Sequence, residues 1–192
     1  MTALQPEPTS ARNLDGYGAP LIPWERVIER LAQGLTQAPA TSGPNRHTVW
    51  LATVGPNGAP HVMPLGALWV EGAFYFTSGA RTRKSKNLRE NPHCTLCVAT
   101  EPFDLVFEGT ASHVRDVSTA ERIAEAFRAD GWEATVVEGN ASLTALYSAP
   151  SAGPPPWDIY EFTVETAYAL GATEPYGAIR FNFSARGQGI AN

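Results

Sequence analysis

The sequence predicts a mainly β protein, in which mostly antiparallel strands form a barrel and about three helices lie at its periphery. Short apolar segments of strand length follow one another over residues 47–114 and again over 157–183, with turn residues between them. Three further segments carry helical periodicity or a helix-start pattern. Because the chain has 192 residues and 43% hydrophobic residues, one domain with a substantial core is expected.

The predicted domain covers residues 23–183. It follows a flexible arm at 1–22, rich in polar residues, proline and glycine, and precedes a disordered tail at 184–192. Its first helix starts at Pro23, because the apolar residues that follow have helical spacing. These residues are Trp24, Val27, Ile28, Leu31 and Leu35. A loop is expected at 38–45.

The predicted strands are bounded by turn residues. Asn57-Gly58 is a dipeptide typical of tight hairpins, and it ends the first strand. Pro64 breaks the second strand, which therefore lies at an edge or a bulge. The predicted strands cover residues 47–54, 60–70, 73–78, 93–100, 103–114, 157–164, 167–171 and 178–183.

Two more helices are predicted between these strands. One starts near Thr82 and stops before Pro92, since a residue before proline disfavours helix. The other follows the capping box Ser118-Thr119-Ala120-Glu121. The stretch 131–156 shows little periodicity, and its proline-rich end at 153–157 is either a lid or a stiff lead-in to a strand.

The most informative segment is 80–89, which is strongly basic in a chain of formal net charge −5. It holds both lysines of the chain, together with three arginines: Arg81, Arg83, Lys84, Lys86 and Arg89. The segment joins a predicted strand to a predicted helix, where free backbone N–H groups add to the side-chain charge. It therefore predicts a phosphate-binding turn. The alternative, a solvated helix face, is the usual explanation of a charge run taken alone.

Short motifs connect this segment to a known family. They lie at residues 47–54, 56–65, 74–79, 82–84, 87–88, 91–92 and 174–181. On these motifs, in this order, the chain resembles the pyridoxamine-phosphate-oxidase-like superfamily of flavin-binding split β-barrels. Within it, the chain is similar to the flavin and deazaflavin oxidoreductases, many of which use F420. The resemblance implies a split β-barrel that forms a homodimer, with a cofactor in each of two grooves at the subunit interface.

The resemblance also implies which residues bind the cofactor. They are Met63, Pro64, Leu65, Gly66, Thr77, Ser78, Arg81, Thr82, Arg83, Lys84 and Arg180. Arg83 and Lys84 match the phosphate clamp, and a planar guanidinium beside an ammonium suits a phosphate. Residues 77–78 match positions that flank the phosphate and the ribityl chain, and residues 63–66 match the strand along the tricyclic ring. Arg180 falls near an arginine of the closing strand.

F420 is the expected cofactor, and FMN is the alternative. Arg81, Lys86 and Arg89 extend the positive field outward, which would suit the acidic oligoglutamate tail of F420. The closing strand lacks the basic, histidine-containing cluster that handles pyridoxal phosphate, so oxidation of vitamin B6 is disfavoured. The expected reaction is hydride transfer between the reduced cofactor and a small molecule with a C=C or C=N bond. A non-catalytic flavin- or F420-binding protein is a second alternative.

No Ser-His-Asp, Cys-His or paired-carboxylate arrangement is visible, which agrees with chemistry carried by a cofactor. Asp104, Tyr147 and Tyr176 are candidates for proton delivery. Trp157 and Tyr147 are candidates for the wall of a substrate pocket.

The remaining reactive residue types predict no site. Cys94 and Cys97 lie three apart in a predicted strand, face opposite sides and are interpreted as core thiols of a cytoplasmic protein. The histidines lack metal-ligand spacing, so structural or surface roles and no metal are expected for His47, His61, His93 and His113. The mild acidity argues against nucleic acid, and no apolar run is long enough to span a membrane.

Overall fold

The computed structural model describes residues 5–35, 48–149 and 152–184. Over these residues it contains eleven strands and three helices. Every strand pair is antiparallel, and the fold is a split β-barrel, which confirms the predicted fold class. The loop predicted at 38–45, the first residue of the strand predicted at 47–54 and all but Ser184 of the predicted tail lie outside the described residues.

The helices are α1 (Trp24–Ala32), α2 (Arg83–Glu90) and α3 (Val117–Ala129). The strands are β1 (Ser10–Asn13), β2 (Val49–Val54), β3 (Pro60–Leu65), β4 (Ala67–Val70), β5 (Ala73–Gly79), β6 (His93–Ala99), β7 (Phe103–His113), β8 (Thr135–Val136), β9 (Ser142–Thr144), β10 (Trp157–Gly171) and β11 (Ala178–Asn182).

The strands follow the order β1-β11-β10-β7-β6-β2-β3, and a second path leads from β10 through β5 to β4. The first half of β10 pairs with β5, and most of β10 also pairs with β7. Since only Gly66 separates β3 from β4, the second path returns to β3 and the sheet closes into a barrel.

The core has two parts, one on each face of β5. Phe74 and Phe76 point into the barrel, where they pack with Phe107 and Phe162. Tyr75 belongs to the second cluster, on the opposite face of the strand, which includes the apolar side chains of α3. Because both faces of β5 are buried, its residues 73–76 are apolar without alternation.

Three predicted elements differ from the observed ones. The strands predicted at 157–164 and 167–171 are one strand, β10, which continues through a bulge between Val164 and Thr166. The second predicted strand breaks at Gly66 and not at Pro64, because β3 lies at the end of the sheet, where proline is tolerated. The N-cap of α3 is Asp116, whose carboxylate accepts from the Thr119 N–H at 2.8 Å.

Three strands arise where none was predicted. Residues Ser10–Asn13, within the predicted arm, form β1 and pair with β11. All four side chains of β1 are exposed, so hydrophobic periodicity gives no indication of this strand. Within the stretch 131–156, the short strands β8 and β9 form a hairpin, and β9 extends along β10.

Candidate functional site

The basic segment forms a tight turn between β5 and α2, as the sequence predicted. The Thr82 N–H donates to the Gly79 carbonyl at 3.0 Å, which closes the turn. Thr82 is the N-cap of α2, and its hydroxyl accepts from the Ser85 N–H at 3.3 Å. The Ser78 hydroxyl lies 2.7 Å from the Thr82 hydroxyl. The side chains of Ser78 and Thr82 therefore fix the shape of the turn.

The segment 152–157 packs directly across this turn. A Cβ atom on Gly79 would lie 2.6 Å from the Ala152 carbonyl oxygen, so only glycine allows this approach. The Trp157 indole N–H donates to the Gly153 carbonyl at 2.8 Å, which holds the segment in place.

The cations of the basic segment differ in their exposure. Arg81, Arg83, Lys86 and Arg89 are exposed, whereas Lys84 is only 4% exposed. Burial lowers the pKa of Lys84, because desolvation disfavours the charged ammonium. The Lys84 ammonium is therefore largely removed from solvent, whereas the Arg83 side chain next to it is exposed.

The helix also contacts the β2–β3 hairpin. The Arg83 guanidinium lies over the hairpin turn, with Nη2 3.7 Å from the position that a Cβ of Gly55 would take. The Asn87 side-chain amide donates to the Thr53 hydroxyl at 2.9 Å. The Thr53 hydroxyl in turn faces the His61 carbonyl at 3.4 Å. These contacts fix the basic turn against β3, the strand predicted to lie along the cofactor ring.

His61 joins this site, although the sequence analysis assigned it a structural or surface role. The pKa of His61 is lowered by burial and then by the positive charges of Arg83 and Lys84. Its Nδ1 atom is buried and has no hydrogen-bond partner among the described residues. The only sequence indication was its position between Pro60 and Met63 in a family-like motif.

The predicted ring-binding residues lie on β3 and just after it. Met63 and Leu65 are half-buried and pair with Leu51 and Val49, whereas Pro64 is exposed. In the described part of the chain, the far edge of β3 has no partner strand. Backbone groups of this edge are therefore open to a ligand. Of the other predicted residues, Gly66 follows β3 and Thr77 is half-buried in β5.

Arg180 lies far from β3 along the sheet. It is on β11, and four strands separate β11 from β3, which corresponds to about 24 Å along the sheet. Its Nε atom is buried and has no hydrogen-bond partner among the residues that the structure describes. The predicted cofactor residues therefore form two groups, one around α2 and β3 and one on β11.

An apolar surface separates these two groups on the outside of the barrel. Strand pairing places Pro64, Trp50, Cys97, Val106, Tyr168 and Arg180 in one row across this face. Trp50 is 46% exposed and the neighbouring Val62 is 52% exposed. Large exposed apolar side chains in one patch are typical of interaction surfaces.

The candidates for proton delivery and for the substrate pocket lie on separate elements. Asp104 is exposed on β7, Tyr176 is exposed before β11, and Tyr147 is exposed after β9. Trp157 is only 3% exposed and packs against Trp132, whose indole N–H donates to the Tyr147 carbonyl at 2.7 Å. The Trp157 side chain is therefore packed inside the protein, and its role as a wall of the substrate pocket remains a prediction.

A further contact that the sequence did not indicate connects α2 to the barrel core. Tyr160 stacks on Phe76, with ring centroids 5.2 Å apart, and its hydroxyl is hydrogen-bonded to Ser85. Burial raises the pKa of Tyr160. The ring of His113 stacks on the same tyrosine, and its Nε2 atom lies 3.4 Å from the Asp158 carboxylate. These aromatic and polar contacts fix the side of α2 that faces the barrel.

The cysteines lie on opposite faces of β6, as predicted. Cys94 is opposite Thr53, and Cys97 is opposite Trp50. Burial raises the pKa of Cys94 to about 12, so this thiol is not a nucleophile. Within the described residues, no three side chains of metal-ligating type form a cluster. None of the described helices has the length and hydropathy required to cross a membrane.

The barrel has the fold of the flavin-binding oxidoreductases. Residues 36–171 match the model of the family described as pyridoxamine 5'-phosphate oxidase, and the chain belongs to this family. None of the curated proteins matches the sequence.

Solved structures share the fold. A conserved protein, Rv2991, from Mycobacterium tuberculosis is 15% identical, with a TM-score of 0.57 and coverage of 82% of this chain and 89% of that one. PhzG from Burkholderia lata, in complex with tetrahydrophenazine-1-carboxylic acid, is 12% identical, with a TM-score of 0.53 and coverage of 85% and 86%. A protein of Listeria innocua described as a pyridoxamine 5'-phosphate oxidase is 21% identical, with a TM-score of 0.51 and coverage of 76% and 96%. At these identities the likeness concerns the fold alone.

Proposed function

We propose that this protein is an F420-dependent oxidoreductase. In this proposal it transfers a hydride between the reduced deazaflavin and a small molecule with an unsaturated C=C or C=N bond. The observation that carries the proposal is the basic turn, where Arg83, Lys84 and His61 converge beside the open edge of β3.

The residues of the turn fit a phosphate group. The Arg83 guanidinium can donate two parallel hydrogen bonds, and the Lys84 ammonium adds a point charge. Lys84 is only 4% exposed, and burial lowers the pKa of its ammonium. A bound phosphate would offset this desolvation, which favours a ligand-binding role for the pair over a solvated helix face.

A homodimer would complete the site. The exposed apolar surface that includes Trp50 and Val62 would be buried in an interface with a second copy of the chain. The same contact would bring Arg180 of the second copy towards the cofactor held at the basic turn. This arrangement explains why Arg180 lies about 24 Å along the sheet from β3 in a single chain.

The choice of F420 over FMN rests on the cations outside the clamp. Arg81, Lys86 and Arg89 are exposed on the turn and on α2, in excess of what one phosphate requires. They would give a positive field along which an acidic oligoglutamate tail can lie.

In the reaction, the protein's own residues would bind and orient the cofactor and would supply a proton. When bound, the deazaflavin supplies the hydride. Arg83 and Lys84 hold the anionic end of the cofactor, and the backbone of residues 63–66 positions the ring. Asp104, Tyr147 and Tyr176 remain the candidates for proton delivery, and each is exposed, as a group that exchanges protons with solvent must be.

Titration of the cofactor-free protein with F420 and with FMN tests this proposal. We expect tighter binding of F420, by about tenfold at low salt, because the three outer cations contact its tail. An Arg81→Ala/Lys86→Ala/Arg89→Ala variant should lose this preference and keep its affinity for FMN.

The other outcomes identify the alternatives. Tighter binding of FMN, with oxygen consumption during turnover, would indicate an FMN-dependent oxidoreductase, which family membership also allows. Tight binding of F420 without turnover of any unsaturated substrate would indicate a cofactor-binding protein. Binding of neither would contradict the site itself.

A further inference from the structure

Strand pairing directs the His61 side chain towards α2. His61 is opposite Thr53 in the β2–β3 ladder, and residues opposite each other in a ladder share a face of the sheet. Thr53 is 1% exposed and is hydrogen-bonded to Asn87 of α2. The face that carries His61 is therefore the face that packs against this helix. Arg83, the first residue of α2, lies over the turn of the same hairpin.

One nitrogen of the His61 imidazole makes no hydrogen bond to the described residues. Its Nδ1 atom is buried and has no hydrogen-bond partner among the described residues. A buried polar nitrogen without a hydrogen-bond partner costs free energy, so its presence calls for an explanation such as ligand binding. The charged groups that act on the imidazole are Arg83 and Lys84, and both are positive. They disfavour the imidazolium, and an anion between the three groups would remove this repulsion.

We propose that His61 is a third phosphate-binding residue, which takes up a proton when a doubly charged anion binds beside Arg83 and Lys84. This inference rests on the proposed function, because it concerns the same phosphate site. The imidazolium donates a hydrogen bond from its buried nitrogen to an anion oxygen. Binding of the anion is therefore coupled to uptake of one proton by this side chain.

The direction of the pH dependence follows from the charges. In the free protein the pKa of His61 lies below its usual value, because burial and then Arg83 and Lys84 lower it. In the complex the dianion raises the pKa. Since the complex binds more protons than the free protein, affinity increases as the pH falls between the two pKa values.

Sulfate is the most suitable probe, because it stays doubly charged across this range. The phosphate of FMN titrates near pH 6, and this titration would oppose the effect of His61. Sulfate affinity of the full chain should be about tenfold higher near pH 5.5 than near pH 7.5. In His61→Gln this pH dependence should disappear. His93→Gln, at an exposed histidine at the start of β6, is the matched control and should behave as the wild type.

A spectroscopic measurement separates binding from a structural effect of the substitution. We expect the NMR titration of the His61 ring to move to higher pH when sulfate is added, while His93 titrates unchanged. If the His61 titration does not move and His61→Gln keeps the wild-type pH dependence, the inference is wrong. The phosphate site itself would still stand if Arg83→Ala/Lys84→Met abolished sulfate binding. Absence of sulfate binding to the wild type at any pH would contradict both proposals.

Discussion

Arg83→Ala/Lys84→Met is expected to weaken binding of F420 or FMN by about 100-fold or more. Each charge-assisted hydrogen bond to the phosphate contributes about 1.5–3 kcal/mol, and about 1.4 kcal/mol corresponds to a factor of ten. Methionine replaces Lys84 because its unbranched chain preserves the apolar packing of a side chain that is only 4% exposed. The dissociation constants are measured by cofactor fluorescence titration.

A control variant removes two positive charges from another part of the protein surface. Arg115 and Arg122 are exposed near the start of α3, and the Arg122 ion pair with Glu71 lies at the surface. Because such pairs contribute little to stability, Arg115→Ala/Arg122→Ala should bind the cofactor like the wild type. An equal loss of affinity in both double variants would mean that net charge, and not the clamp, attracts the cofactor.

Gly109→Ala is expected to destabilise the barrel by about 3 kcal/mol or more. Gly109 lies on β7 opposite Val164, next to the bulge of β10. A Cβ atom here would lie 2.0 Å from the Thr163 carbonyl oxygen and 3.2 Å from the ring of Phe162. Because the nearest atom belongs to the backbone, the two central strands must separate. The melting temperature should fall by about 6–12 °C.

Gly16→Ala is the matched control for this substitution. A Cβ atom on Gly16 would meet no atom within 4 Å, and this glycine does not have a positive φ. Its melting temperature should stay close to that of the wild type. A Gly109→Ala protein that melts with the wild type would show that β7 and β10 adjust their spacing freely at the bulge.

The fold could be predicted where the turn residues and the burial of the side chains indicate the same structure. The Asn57-Gly58 turn sets the β2–β3 hairpin by its backbone preference alone. The run from Ala73 to Phe76 is apolar because it is buried on both faces of the strand. By contrast, β1 exposes all four side chains and exists through its backbone pairing with β11, which leaves no pattern in the sequence.

The elements that were misplaced depend on distant contacts. Two strands were expected, at 157–164 and at 167–171, whereas one strand is observed, in which the alternation of buried residues changes phase after Val164. The observed bulge absorbs this change, since β7 pairs with β10 on both sides of it. Asp116 caps α3 although Ser118 offers a better-known capping pattern, because the carboxylate accepts from both Ser118 and Thr119.

Part of the candidate site could be predicted, because it consists of residues that are adjacent in the sequence. The basic turn is contiguous in sequence, so its charges and its position before α2 could be recognised together. His61 could not be assigned to it, because the hairpin register and the Asn87–Thr53 contact bring it there. The separation of Arg180 from this turn depends on strand order, which short motifs do not contain.

The proposed function depends above all on the binding of the cofactor phosphate by Arg83 and Lys84. The most direct test compares FMN with riboflavin, which lacks the phosphate, on the wild type and on Arg83→Ala/Lys84→Met. We predict that the wild type prefers FMN by about 100-fold and that the variant binds the two ligands almost equally. If the variant keeps the full preference for FMN, the phosphate is bound elsewhere and the claim is wrong.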